Sequence, residues 1–258
     1  MSSDENGLER TDGRSPKQIR KVTIETPFLR HAEGSVSVRV GNTWAICSAT
    51  VEDRQPSFLR GTRKGWVTAE YAMLPRSVQE RLPRSQPGGR GMEIQRIIGR
   101  SLRAVIDLSG IPEHTITIDC DIIEADGGTR AAAVTGAFVA LCQACRWMVW
   151  QDRIPRVPIR DQVAGIGVGI VKGRALADLT YEEDSAAEVD MSVFMTGQGA
   201  YVGLQGTAEG NAFDDGQLRT MLSVARAGLK RLFAAQRRAM GLDPEEDFDP
   251  DRIWPTRP

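Results

Sequence analysis

The chain has 258 residues, a mass of 28.3 kDa and a formal net charge of −1, with 41% hydrophobic and 26% charged residues. These values describe a globular chain able to bury a core and exclude a disordered, collagen-like or coiled-coil sequence. A polar N-terminus without an apolar core, and no evident run of about 20 apolar residues, argue against a signal peptide and a membrane span.

Residues 1 to about 19 read as a flexible lead, with 1–11 outside the folded domain. Val22, Ile24 and the run Val36–Val51 have the β-branched, partly alternating character of strands, with turns at Gly34 and Gly41-Asn42. Gly65–Met73 reads as a further strand. Residues 75–90 carry three prolines and two glycines among four arginines, an irregular and exposed cationic segment. From Met92 to Leu108 the apolar residues Ile94, Ile98, Leu102 and Val105 have helical spacing, and Arg96, Arg100 and Arg103 stand on another face. Residues 114–124 alternate as a strand. A helix is expected over Thr129–Met148, its apolar stripe running through Val134, Phe138, Leu141 and Cys145.

The second half repeats the pattern. Val163–Val171 alternates apolar residues with Gly165, Gly167 and Gly169, a face open to close backbone approach. Strands are expected at about 174–180, 188–196 and 200–207. A last helix runs from Asp214–Asp215 to about Met240, stopped by Gly241. The acidic, Pro-rich tail 242–258 is expected to be loosely ordered. The expected fold class is α+β: a two-layer α/β arrangement of two similar βα halves packed as one domain over 12–241, with a seam at Pro155–Pro158.

Cys47, Cys120, Cys142 and Cys145 do not make a disulfide framework in a chain of this length, and the C-x-x-C lies within a helical pattern. With only His31 and His114 present, no zinc site is expected. The thiols suit a reducing cytoplasm.

Charge is unevenly spread. Arg54–Arg103 holds 11 basic and 3 acidic residues, while Ala104–Pro258 carries a net −8. Such a segment can bind a polyanion, solvate a surface or meet a partner subunit. Three motifs could carry chemistry. Asp126-Gly127-Gly128-Thr129-Arg130 follows a strand and opens a helix; it offers amides, a hydroxyl and a guanidinium to a phosphate, or simply caps the helix. Asp184 and Asp190 could converge on Mg²⁺, which prefers oxygen ligands, or form a solvated turn and an ion pair. Arg76, Arg81, Arg84 and Arg90 could track a phosphodiester chain.

Five segments together resemble the ribonuclease PH family, the phosphorolytic 3′–5′ exoribonucleases that trim tRNA: GWVTAEYAMLPR (65–76), MEIQRIIGRSLRAVIDL (92–108), TITIDCDIIEADGGTRAAAVTGA (115–137), YEEDSAAEVDM (181–191) and QGTAEG (205–210). The resemblance spans about residues 12 to 240. It implies the ribonuclease PH fold, a homo-hexameric ring built as a trimer of dimers, and a reversible tRNA nucleotidyltransferase activity on tRNA precursors, with rRNA 3′ ends as further substrates. It implies that Arg90, Gly128, Thr129 and Arg130 hold inorganic phosphate, that Asp184 and Asp190 are catalytic and hold Mg²⁺ or another divalent cation, and that Arg76, Arg81 and Arg84 bind tRNA. Gly91, Ala131 and Ser192 depart from the family pattern, and the loop between Arg84 and Arg90 is short. The alternative is a non-catalytic RNA-binding ring subunit of an exosome-like assembly.

Overall fold

The structure, a computed structural model, describes residues 10–84 and 88–254. The first half contains β1 (Val22–Glu25), β2 (Gly34–Val40), β3 (Thr43–Glu52), β4 (Trp66–Met73), α1 (Gly89–Val105), β5 (Thr115–Glu124) and α2 (Thr129–Trp150). Its five strands form a sheet in the order β1-β2-β3-β5-β4, with β4 parallel to β5 and the other pairs antiparallel. The second half contains β6 (Val163–Val171), β7 (Arg174–Ala177), α3 (Tyr181–Ser185), β8 (Val189–Thr196), β9 (Tyr201–Ala208) and α4 (Asp215–Ala239). Its strands form an antiparallel sheet in the order β7-β6-β8-β9.

Each half is a sheet with helices on it, and the halves stack. The apolar face of β2 and β3 packs on α2, where Cys47 Sγ lies 3.7 Å from the Ala133 carbonyl. A side chain at Gly136 would run into Val38 and Cys47. The opposite side of α2 meets β6, where the Gly165 amide donates to Thr135 Oγ1 at 3.3 Å. A Cβ at Gly165 would stand 3.1 Å from the Ala131 backbone, so the glycine face does admit a helix. On the far face of the second sheet, Val168, Met191 and Val193 pack on Met221, Ala225 and Leu229 of α4. The layers therefore run sheet, helices, sheet, helix.

This stacking explains a misleading signal. Over Thr129–Trp150, α2 is long and apolar enough to pass for a membrane span, contrary to the expectation from sequence. It is apolar all round because sheets cover it from two sides.

Boundaries differ at three places. The helix expected from Met92 starts at Gly89 and ends at Val105. The strand expected over 174–180 stops at Ala177, because Asp178 takes a left-handed φ of 54° and turns the chain. The acidic turn is a short helix, α3, closed by a Thr180–Glu183 capping box.

The lead and the tail are more firmly held than expected. Arg10, Arg14, Ile19 and Arg20 are buried. Met1–Glu9 lie outside the described residues. In the tail, Leu242 and Ile253 are buried and the Phe248 ring meets Phe138 at 5.9 Å; residues 255–258 lie outside the described residues. Apolar residues interrupt the acidic ones, and their burial offsets the cost of ordering the segment.

Candidate active site

After β5 the chain turns through Gly127 and Gly128, both left-handed with φ of 73° and 67°. A Cβ on Gly127 would lie 2.3 Å from the Leu179 carbonyl, so only glycine fits. The turn leads straight into α2, whose first amides carry no side-chain cap. Free amides and the positive end of the helix dipole are suited to receive an anion.

Several groups fix that loop. Thr43 Oγ1 donates to the Gly127 carbonyl at 2.6 Å and accepts from the Asp126 amide at 3.0 Å. Arg20 donates to the Asp126 carbonyl. Asp126 Oδ1 accepts from the Tyr181 amide at 3.0 Å, joining the loop to α3. Tyr71 donates its hydroxyl to Thr129 Oγ1 at 3.1 Å. Arg130 donates to Gln205 Oε1 at 3.0 Å, and Gln205 in turn donates to Glu93 of α1.

The acids come from two elements of the second half. Asp184 is carried by α3. Asp190 lies at the start of β8, opposite Gly169 of β6 and Thr207 of β9. Alternation on β8 sends Val189, Met191 and Val193 toward α4 and leaves Asp190 and Ser192 on the other face. Burial first, and then the nearby Asp184 carboxylate, push Asp190 up to about 6, while Arg130 and Arg90 pull it down. Both arginines therefore lie within electrostatic reach of the acid pair.

Arg90, Gly128, Thr129, Arg130, Asp184 and Asp190 line one cleft of about 700 Å³. Of the three arginines expected to bind tRNA, Arg84 also lines it. Arg76 and Arg81 are exposed on the same segment outside the cleft lining. The short stretch before Arg90 falls partly on Ser85–Pro87, outside the described residues. Among the described residues, no group of three or more His, Cys, Asp and Glu is placed to hold a metal. Asp184 and Asp190 are a close pair of carboxylates in the cleft, which Asp121 also lines; with waters completing the shell, such a pair suits a hard divalent cation, which would relieve their repulsion.

All four cysteines are buried. Burial drives the Cys145 thiol up to about 12, which suits packing and not nucleophilic attack. Tyr71, Gln205 and Glu93 escape a reading by motif because each acts on a site residue from another element. The alternation of 66–73 is a weak pointer to Tyr71, since it places that ring on the inner face.

Comparison with known proteins identifies the family. Residues 18–146 match domain 1 of the 3′ exoribonuclease family and residues 161–228 match domain 2. The break between them falls at the Pro155–Pro158 seam. Ribonuclease PH of Solibacter usitatus is 52% identical over 232 residues, covering 88% of this chain and 98% of that protein. Ribonuclease PH of Moorella thermoacetica is 50% identical over 236 residues, covering 90% and 94%. The fold matches a chain of the Archaeoglobus fulgidus exosome with RNA bound to the active site, with a TM-score of 0.75 at 22% identity over 87% of this chain and 91% of that one. A double-domain match together with half-identical relatives along nearly the whole chain places it in the ribonuclease PH family of 3′ exoribonucleases.

Proposed function

We propose that the cleft binds orthophosphate on Arg90, Arg130 and the Gly128–Thr129 end of α2, and that Asp184 and Asp190 hold a divalent cation against the 3′-terminal phosphodiester of RNA. The activity is phosphorolytic 3′–5′ exoribonuclease action in tRNA processing. The observation that carries the site assignment is the convergence of Arg90, Arg130 and the Asp184–Asp190 pair on one cleft.

The chemistry asks little of the protein beyond placement and charge. An orthophosphate oxygen attacks the terminal phosphorus in line with the 3′ oxygen, which leaves on the shortened RNA. A nucleoside 5′-diphosphate is released. One phosphodiester is exchanged for one phosphoanhydride, so excess nucleoside diphosphate reverses the reaction. No side chain needs to form a covalent bond. The obstacle is the approach of two anions, which repel by about 4 kcal/mol at 4 Å in a partly screened site. Arg90, Arg130 and the helix N-terminus offset that repulsion on the phosphate side. A divalent ion on Asp184 and Asp190 would neutralise charge at the scissile group. Tyr71 orients Thr129, and Gln205 orients Arg130.

RNA is the substrate and the fold is that of ring assemblies. Our reading is a homo-hexamer, a trimer of dimers, working in the cytoplasm on tRNA precursors and on rRNA 3′ ends, with Arg76, Arg81 and Arg84 on the tRNA. A non-catalytic ring subunit is less favoured, because such a subunit has no use for both the phosphate set and the acid pair. Incubation with 3′-extended tRNA tests the reading: nucleoside diphosphates are expected only when phosphate is present, and Arg90→Ala should sharply raise the phosphate requirement. Release of monophosphates without phosphate would refute it.

A further inference from the structure

The final helix has a charge that its surroundings do not. Ala104–Pro258 carries a net −8, yet Asp215–Ala239 contains six basic residues and one acidic one. Arg219, Arg226 and Lys230, spaced by 7 and 4, share one exposed face of α4, opposite the buried Met221, Ala225 and Leu229. With Lys17 they line an open groove of about 510 Å³ beside Tyr201 of β9. Among the described residues no carboxylate lines it, and none of the four cations forms an ion pair with a described residue. Arg226 lies 5.5 Å from the centre of the half-exposed Tyr201 ring and donates to its hydroxyl at 2.9 Å. Unpaired cations that repel one another, beside an aromatic ring, suit a chain of phosphates carrying bases.

The groove also has a fixed relation to the cleft. Thr207 of β9 pairs with Asp190, and Tyr201 lies six residues back along the same edge strand. At about 3.4 Å per residue the groove begins about 20 Å from the acid pair. A single nucleotide in the cleft cannot reach it, whereas a folded RNA with its 3′ end there can.

We propose that Lys17, Arg219, Arg226, Lys230 and Tyr201 form a second RNA contact that grips the phosphate backbone of the substrate's body while the 3′ end is trimmed. The proposal rests on RNA being the substrate, and its test separates the two. In the triple variant Arg219→Gln/Arg226→Gln/Lys230→Gln, KM for a 3′-extended tRNA should rise about tenfold, and the slope of log KM against log salt should flatten by about 2–3, as expected for three lost phosphate contacts. The phosphate KM and the rate on an oligonucleotide too short to leave the cleft should not change, which also shows that the variant is folded. Unchanged tRNA kinetics and salt slope, with phosphate-dependent trimming intact, would overturn the groove as an RNA site. Loss of the ring by light scattering, with loss of both activities, would overturn it too and make the cations a subunit contact. If the wild-type chain trims no RNA, the functional reading fails; filter binding of the tRNA to wild type and variant then still decides the groove, equal affinity rejecting it.

Discussion

Asp178 holds Arg20 twice over, accepting its backbone amide at 2.7 Å and its guanidinium at 2.7 and 3.0 Å. The same guanidinium donates to the Asp126 and Leu179 carbonyls. Arg14 reaches Asp178 from the other side at 3.2 Å, and Arg10 forks onto Glu183 at 2.6 and 2.7 Å. Three N-terminal arginines thus tie the Asp126–Gly128 loop to the segment that leads into α3.

Removing the centre of that network should be costly. Asp178→Ala would leave the Arg20 side chain, 7% exposed, with Asp126 at 3.4 Å as its remaining carboxylate, and breaking a buried pair in this way costs up to about 3–5 kcal/mol. Denaturant unfolding measures the loss, and the phosphate KM should rise with it. A variant within 1 kcal/mol of wild type would mean that solvent already screens the network.

Tyr71→Phe removes one hydroxyl and little else. The lost bond to Thr129 should raise the phosphate KM several-fold, in line with about 1 kcal/mol for a hydrogen bond, and leave kcat near wild type. Equal phosphate KM values would show that Thr129 is oriented without it.

The pH response follows from Asp190. Its carboxyl is pushed up to about 6, above the roughly 3.9 of an unfolded aspartate. Between those values the native state holds a proton that the unfolded state has released, so this group's contribution to stability falls as pH rises from about 4 to 6. A cation held there as proposed would have to displace the same proton. Thermal stabilisation by Mg²⁺ should therefore be larger at pH 7.5 than at pH 5.5, and Asp190→Asn should abolish it along with cleavage. Stabilisation by Mg²⁺ that persists in the Asn variant would place the ion elsewhere.

Arg84 should separate from its neighbours. It lines the cleft, so Arg84→Ala should weaken trimming of short and long RNA alike. Arg76→Ala and Arg81→Ala should affect only long RNA and flatten its salt dependence. Identical profiles for all three would mean that the segment acts as a unit.

The tail gives a prediction opposite to its composition. Ile253 is fully buried, so Ile253→Ala should cost about 2–4 kcal/mol, read from the unfolding midpoint. A change under 1 kcal/mol would restore the picture of a loose end.

Periodicity alone located most strands and the long helices, because each buries a regular apolar face: Ile116, Ile118 and Ile122 on β5, or Ala225, Leu229 and Leu232 on α4. It failed where long-range partners decide. Nothing local in Arg10 or Ile253 announces burial, since their partners lie far along the chain. The same holds at the site. The DGGTR turn is legible as an anion-binding shape and Asp190 as an acid in an apolar alternation, but their meeting depends on how two sheets stack across α2. The pairing Arg130–Gln205 is set by that stacking, and Tyr71–Thr129 by the seating of α2 on the first sheet.

The helix at the centre has a consequence for synthesis. When Trp150 leaves the ribosome, one flank of α2 can settle on the first sheet, but β6 has yet to be made. Until it arrives, a sticky apolar flank faces the surrounding water. A truncated product ending there should precipitate or occupy chaperones, and the two halves should not be recoverable as independent soluble fragments.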